Sequence, residues 1–259
     1  MKITANGISM NYQLEGPANA PVVTLSHSLA TNLSMWDPQI AALTPRYRVL
    51  RYDTRGHGGT EAPEGPYTLD QLAEDVRALL QVLKIARTHF IGLSMGGFIG
   101  QILGLKYPKM LGSLILCDTT SRVAPEAKPT WDERIRVART QGMEPHVEPT
   151  ISRWFTAPFR EKRPEVVEPV RAMIRATPVN GFIGCAAALA DHDYASTVAG
   201  VKHPVLFLVG EKDAPAPAMR KLKEKLAGSR YVELAGAGHI SNMDRPAEFT
   251  RAVAEFLAA

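Results

Sequence analysis

The chain has 259 residues, 45% hydrophobic and 22% charged, with a formal net charge of +4. That length suits one large α/β domain or a core with an inserted subdomain, and no run approaches the roughly 18 apolar residues of a membrane span. Lys and Arg are scattered, and the modest cluster of Lys221, Lys223 and Lys225 beside Glu224 reads as a solvated helix face, so neither nucleic acid nor membrane is an expected partner.

The opening segment MKITANGISMNY lacks a basic stretch followed by an apolar one, so cytoplasmic residence is expected. Lys2–Ala5 and residues 10–15 flank Asn6-Gly7, a hairpin signal. Short apolar or β-branched runs follow at Val22–Ser26, 47–52, Thr88–Leu93, Leu111–Cys117, 205–209 and 231–234. Helical patterns separate most of them. The clearest aligns Leu69, Leu72, Ala73, Val76, Leu80 and Leu83 on one stripe behind a Thr68-x-x-Gln71 capping box. Strand and helix alternation of this kind implies a mostly parallel sheet covered on both faces.

The alternation stops between about Thr119 and Thr197, where Pro and charged residues accompany helical patterns at 131–140 and Pro164–Ala176. We expect a core of residues 1–120 and 197–259 with a helical cap at 121–196. The aromatics Trp131, Trp154, Phe155, Phe159 and Phe182 either line a pocket above the strand ends or pack the cap against itself. Of these, Trp131 and Trp154 are the expected substrate contacts. Cys117 and Cys185 are too few and too separated for a metal framework and read as buried free thiols. The last helix, 247–257, carries Phe249, Val253, Phe256 and Leu257 as its apolar stripe.

Gly92-Leu93-Ser94-Met95-Gly96 spells G-x-S-x-G between an apolar run and a helical pattern at 98–107. A serine there sits at a strand-to-helix turn and is a candidate nucleophile, with Gly92, Gly96 and Gly97 permitting the tight backbone. A serine hydroxyl needs an imidazole to take its proton and a carboxylate to orient that imidazole. Asp213 follows the run at 205–209, and His239 lies in Gly236-Ala237-Gly238-His239 after the run at 231–234. Asp118, which also ends a strand, ranks second as the acid. Glu211 reads as loop-stabilising, and His27, His57, His89, His146, His192 and His203 read as structural or exposed. Asp191-His192-Asp193 has no second cluster to complete a metal site, so no metal is expected.

Negative charge developing on an attacked carbonyl requires preorganised donors. The Met95 N–H is one candidate. The loop His27-Ser28-Leu29-Ala30 supplies the other: Leu29 N–H first, with Ser28 or Ala30 as substitutes. The segment Asp53-Thr54-Arg55-Gly56-His57-Gly58 reads as bracing a turn.

In the segments SHSLATNLSMWDPQ (26–39), RYDTRGHGGT (51–60), GLSMGGFIGQ (92–101), LILCDT (114–119), RWFT (153–156) and GAGHISNMDRP (236–246), the chain resembles the α/β-hydrolase superfamily and, within it, the 3-oxoadipate enol-lactonases. The resemblance implies an α/β-hydrolase fold with a helical cap, a Ser94, Asp213, His239 triad, and cofactor-independent hydrolysis of a small-molecule lactone or ester. Ala30, often Gly in such sequences, and the loop 213–217 depart from the pattern. A carboxylate-bearing lactone would favour a cationic cap, for which Arg134, Arg136, Arg139, Arg153 and Arg160 are candidates. The competing readings are a broad carboxylesterase with a perhydrolase-like side activity and, from another class, a non-catalytic ligand receptor. Ser at position 94 disfavours a haloalkane dehalogenase, whose nucleophile there would be Asp.

Overall fold

The structure is a computed structural model that describes residues 1–194 and 198–259. Its strands are β1 (Lys2–Ala5), β2 (Ile8–Glu15), β3 (Val22–Ser26), β4 (Arg48–Tyr52), β5 (Thr88–Leu93), β6 (Leu111–Cys117), β7 (Val205–Gly210) and β8 (Arg230–Leu234). They form one sheet in the order β1-β2-β4-β3-β5-β6-β7-β8. The β1/β2 and β2/β4 pairs are antiparallel, and every later pair is parallel. The first hairpin uses the minimal two-residue loop, with Ala5 opposite Ile8 and both Asn6 and Gly7 at positive φ. β2 therefore starts two residues earlier than the apolar pattern suggests, because Ile8 belongs to the ladder.

The helices are α1 (Asp37–Leu43), α2 (Leu69–Val82), α3 (Met95–Lys106), α4 (Lys128–Gln141), α5 (Val147–Trp154), α6 (Ala157–Lys162), α7 (Pro164–Ala176), α8 (Val179–Ala190), α9 (Ala216–Lys225), α10 (Ser241–Asp244) and α11 (Pro246–Leu257). α3 packs on β5 and β6 with α2 beside it, while α1 and α11 pack together, α1 against β4 and α11 against β7 and β8. Every residue of β7 is buried, which requires cover on both faces of the sheet. At the start of α2 the Thr68 side chain accepts the Gln71 N–H, the cap read from the sequence. Lys221, Lys223 and Lys225 lie exposed on α9. Among the described residues, no single helix is long and apolar enough to cross a membrane.

Helices α4 to α8 occupy the segment between β6 and β7; the expected boundary at 196/197 lies outside the described residues. α8 carries an unbroken run of small and apolar residues and sits directly on the loop after β4. A Cβ on Gly181 would fall 1.8 Å from the Gly56 carbonyl oxygen, and Gly184 O accepts the Tyr67 N–H at 3.3 Å. Cys185, a fully buried free thiol, lies in the same seam. This is backbone-to-backbone packing that only the absence of a side chain permits.

The loops after β3 and β4 are cross-braced by two buried imidazoles. His27 Nε2 accepts the Thr54 N–H at 2.8 Å, and His57 Nε2 accepts the Ala30 N–H at 3.0 Å. Each Nε2 must then be unprotonated. The opposite nitrogens carry the hydrogens, directed at Ser28 O (2.7 Å) and Arg55 O (3.2 Å). The rings lie 5.2 Å apart, and burial lowers both pKa values; burial together with the neighbouring His27 pushes His57 down to about 3. The adjoining loop is held by Asp53, whose carboxylate accepts Leu33 N–H and Gly59 N–H, both at 2.8 Å. Arg55 makes a paired contact with buried Asp75 at 2.8 and 2.6 Å.

Two expectations follow. Gly181→Ala should destabilise the chain by about 1–3 kcal/mol, as overpacking does, read as a lower urea midpoint; an unchanged midpoint would show that α8 does not need the contact. Because His27 and His57 are neutral when folded but free to protonate when unfolded, the unfolded chain binds more protons below pH 6.5. Folding stability should therefore fall as pH drops from about 6.5 towards 3 through His57, by up to about 1.4 kcal/mol per pH unit, with His27 acting in the same direction. Urea titrations across that range, with His57→Gln as the control that flattens the slope, measure it.

Candidate functional site

Ser94 stands between β5 and α3 with φ 54° and ψ −111°. The helix starts at Met95, three residues before the pattern at 98–107, because this one residue makes the whole turn. Its backbone is held from β6 and beyond: Ser94 N–H donates to Cys117 O at 2.9 Å, and the Thr119 hydroxyl donates to Ser94 O at 3.0 Å. Asp213 follows β7 and is buried, and its N–H closes a turn on Gly210 O at 3.0 Å. His239 lies between β8 and α10, with its N–H on Trp154 O at 2.8 Å. His239 Nδ1 is 2.9 and 3.0 Å from the two Asp213 carboxylate oxygens, and Nε2 is 3.0 Å from Ser94 Oγ. With Asp213 as acceptor, the hydrogen belongs on Nδ1, leaving the Nε2 lone pair facing the serine hydroxyl.

Asp118 has a different set of partners. Its carboxylate accepts Gly210 N–H at 2.8 Å and makes a short contact with the Ser241 hydroxyl, tying the loops that carry Asp213 and His239 to the end of β6. Burial and the nearby Asp213 charge push its pKa well above the usual carboxylate range. Asp244 supports the same loop by accepting Gly238 N–H at 2.8 Å. Sequence reading offered no signal for Asp244 or Ser241, which look like ordinary helix-cap polar residues. Glu211 accepts Gly236 N–H at 2.8 Å and pairs with Lys212, the loop-stabilising role read for it.

Of the N–H groups weighed in the loop after β3, two are already engaged. Ser28 N–H points to Met35 Sδ at 3.4 Å and Ala30 N–H to His57. Among the described residues Leu29 N–H has no acceptor. Met95 is the first residue of α3, so its N–H has no partner within the helix. Ala30 takes φ 61°, a left-handed conformation held by an L-residue.

Ser94, Asp213 and His239 border a cavity of about 330 Å3, whose lining includes Leu29, Phe98, Trp131, Trp154, Leu189 and Pro215. The Trp154 ring lies 6.0 Å from the His239 ring and nearly parallel to it. Phe155, Phe159 and Phe182, grouped with the tryptophans in the sequence, do not line the cavity: Phe155 stacks on Phe159 at 5.2 Å, and Phe182 is wholly buried. They complete the interior of the helical segment.

Of the five arginines considered, Arg134 and Arg153 reach the cavity. Arg136 pairs with Glu133 at the surface, Arg139 lines a separate groove beside Pro66, and Arg160 donates to Ser152. The Arg134 guanidinium lies 4.4 Å from the Trp131 ring centroid, and its buried Nε has no partner among the described residues. Burial, reinforced by Arg153, lowers its pKa to about 9, and burial lowers that of Arg153 as well. Arg153 donates to the Thr150 hydroxyl at 3.0 Å. Two arginines thus face the cavity without an ion-pair partner among the described residues, whereas Lys212, which also borders it, pairs with Glu211 and Asp213 is engaged by His239.

The remaining histidines serve elsewhere. His192 is wedged between Phe98 and Tyr194, neither ring nitrogen bonded among the described residues, and neighbouring Asp191 pairs with Lys128 at 2.9 Å. Among the described residues no three His, Cys, Asp or Glu side chains gather as a metal site.

Residues 21–246 match the family model for the alpha/beta hydrolase fold. The chain is 38% identical to 3-oxoadipate enol-lactonase 2 of Acinetobacter baylyi over 97% of its length and 94% of that protein. It superposes on the crystal structure of an enol-lactonase from Burkholderia xenovorans with a TM-score of 0.96 and 42% identity, all of both chains being covered. A malate-bound thermophilic esterase from Thermogutta terrifontis gives a TM-score of 0.94 at 30% identity, over all of this chain and 97% of that one. With the sheet order, the strand-to-helix serine turn and a family match spanning most of its length, the chain belongs to the α/β hydrolase fold family.

Proposed function

We propose that this protein is a serine hydrolase that opens a carboxylate-bearing lactone, of the 3-oxoadipate enol-lactone type, through an acyl-enzyme. The observation carrying the chemistry is the hydrogen-bonded chain from Ser94 Oγ through His239 to Asp213, at the wall of a cavity that also contains two arginines without carboxylate partners. The similarity to two enol-lactonases supports the substrate class. In this reading residues 121–196 are the cap over a core of 1–120 and 197–259, and the ligand is a small molecule.

His239 Nε2 takes the Ser94 proton as Oγ bonds to the carbonyl carbon. Asp213 holds the imidazole in the required tautomer and stabilises the imidazolium that forms. The N–H groups of Leu29 and Met95 receive the oxyanion. When the tetrahedral adduct collapses, the ring C–O bond breaks and His239 returns the proton to the leaving oxygen. That oxygen stays tethered to the acyl group, so the cavity must hold the whole opened chain. Water, deprotonated by His239, then attacks the acyl carbon and releases Ser94.

Arg134 and Arg153 give the substrate carboxylate its place. Holding two unneutralised guanidiniums near one another is costly without an anion, and Trp131 fixes one of them by stacking. A neutral ester gains nothing from this arrangement, which is what separates the lactonase reading from a general carboxylesterase.

Ser94→Ala should lower kcat by at least about 10³-fold with the fold intact; retained turnover in a folded, uncontaminated preparation would sink the assignment. Arg134→Gln should raise KM for a carboxylate-bearing enol-lactone about 10-fold or more while leaving p-nitrophenyl butyrate hydrolysis within about 3-fold, as loss of a charge-assisted hydrogen bond predicts. Equal losses on both substrates would assign Arg134 to the architecture of the cap.

A further inference from the structure

We infer that His57, which does not itself line the substrate cavity, is a positioning residue for the oxyanion donor, acting through the two peptide planes that flank Leu29. The inference rests on the serine hydrolase reading above. Its geometric basis lies in the loop after β3.

The Ser28–Leu29 peptide is held by its carbonyl. Ser28 O accepts His27 Nδ1–H at 2.7 Å, the Thr31 hydroxyl at 2.8 Å and the Thr31 N–H at 3.3 Å. In a planar trans peptide the N–H points opposite to the C=O, so these bonds direct Leu29 N–H away from them. The next peptide, Leu29–Ala30, is held by its other end, because Ala30 N–H donates to His57 Nε2 at 3.0 Å. Leu29 is therefore fixed on both sides, and among the described residues its own N–H has no acceptor.

Holding this geometry requires a bond, because Ala30 adopts φ 61° without being glycine, a conformation an L-residue resists. A relaxed Ala30 would rotate the Leu29–Ala30 plane and take Leu29 with it. His57 supplies the opposing constraint. It reaches Ala30 from the loop after β4, where its position is reinforced by the His57 N–H bond to Thr54 O at 2.9 Å and the Nδ1 contact with Arg55 O. Thr54 N–H in turn donates to His27 Nε2. The two histidines thus form a reciprocal clamp: each belongs to one loop and accepts a backbone N–H from the other. The side of the clamp that sets Ala30 is His57.

The test uses two amide replacements of similar polarity but different reach. In His57→Gln the Oε1 occupies the place of Nε2 and can accept Ala30 N–H; in His57→Asn the shorter amide cannot. The readouts are kcat and KM for the enol-lactone, and the inhibition constant of an alkyl trifluoromethyl ketone, whose hemiketal with Ser94 presents an oxyanion that a ground-state substrate lacks. We expect His57→Gln to stay within about 3-fold of wild type. His57→Asn should lose about 10- to 100-fold in kcat at similar KM and weaken the ketone by the same factor, part of the 10²–10³ that one oxyanion donor supplies. Asn and Gln variants that bind the ketone equally well would overturn the inference. So would a loss confined to thermal stability. Should the Asn variant fail to fold, long-range 1H–15N spectra of the wild-type protein decide: an unprotonated Nε2 on His57 is required, and a proton on Nε2 refutes it. Failure of the underlying reading looks different, since the trifluoromethyl ketone would then not inhibit the wild-type protein at all.

Discussion

A serine at φ 54° between a buried strand and a buried helix is the constraint from which the rest of the site follows. Left-handed backbone at a non-glycine residue costs on the order of 1–3 kcal/mol and persists only where its surroundings over-determine it. Here β5 is paired on both sides, by β3 and β6, and α3 packs onto β5 and β6. With strand and helix each anchored, the single residue joining them has no lower-energy option. The same geometry presents Oγ at the strand's C-terminal end and leaves the first N–H of α3 without an intrahelical partner. On the proposed reading, nucleophile and oxyanion donor are thus two consequences of one turn.

A second strained residue, Ala30, stands in the opposite loop, held by a different device. Ser94 is enforced by regular secondary structure, whereas Ala30 is enforced by buried imidazoles. That difference has energetic consequences. Strand pairing is indifferent to pH near neutrality, but the imidazole clamp works only while both rings are neutral, which burial secures by lowering their pKa values. The geometry of the loop after β3 therefore depends on the protonation of two histidines outside the Ser94–His239–Asp213 chain.

The order of strands and helices was largely legible because parallel, doubly covered strands read as continuous apolar runs, and Ser94, Asp213 and His239 could be aligned because each follows such a run. The boundaries of α3 were less legible: a turn made by one residue leaves no polar gap, so the helix began at Met95 and not at 98. α8 shows no amphipathic stripe in sequence, because its residues are small or apolar nearly all round, and Gly181 and Gly184 reveal their purpose only against Gly56 and Tyr67. The arginines show a further limit. Arg134 and Arg136 are two positions apart on α4 and chemically identical, yet one faces the cavity and the other pairs with Glu133 in solvent. Helical phase separates them, and only a known partner surface tells which phase is inward.

The segment that carries the arginines is also part of the support of His239. Trp154 ends α5, and its carbonyl accepts His239 N–H at 2.8 Å while its ring lies alongside the imidazole. A Cβ on Gly238 would fall 2.2 Å from the same carbonyl oxygen, so the loop approaches as closely as backbone allows. Arg153 is the neighbour of Trp154 in the chain. A displacement of α5 large enough to move Arg153 out of the cavity would therefore also strain or break the backbone bond that holds His239. On the proposed reading, substrate-facing charge and general-base geometry share one short helix, and exchanging specificity without disturbing the imidazole requires changing side chains on α4, where Trp131 and Arg134 lie, before altering α5.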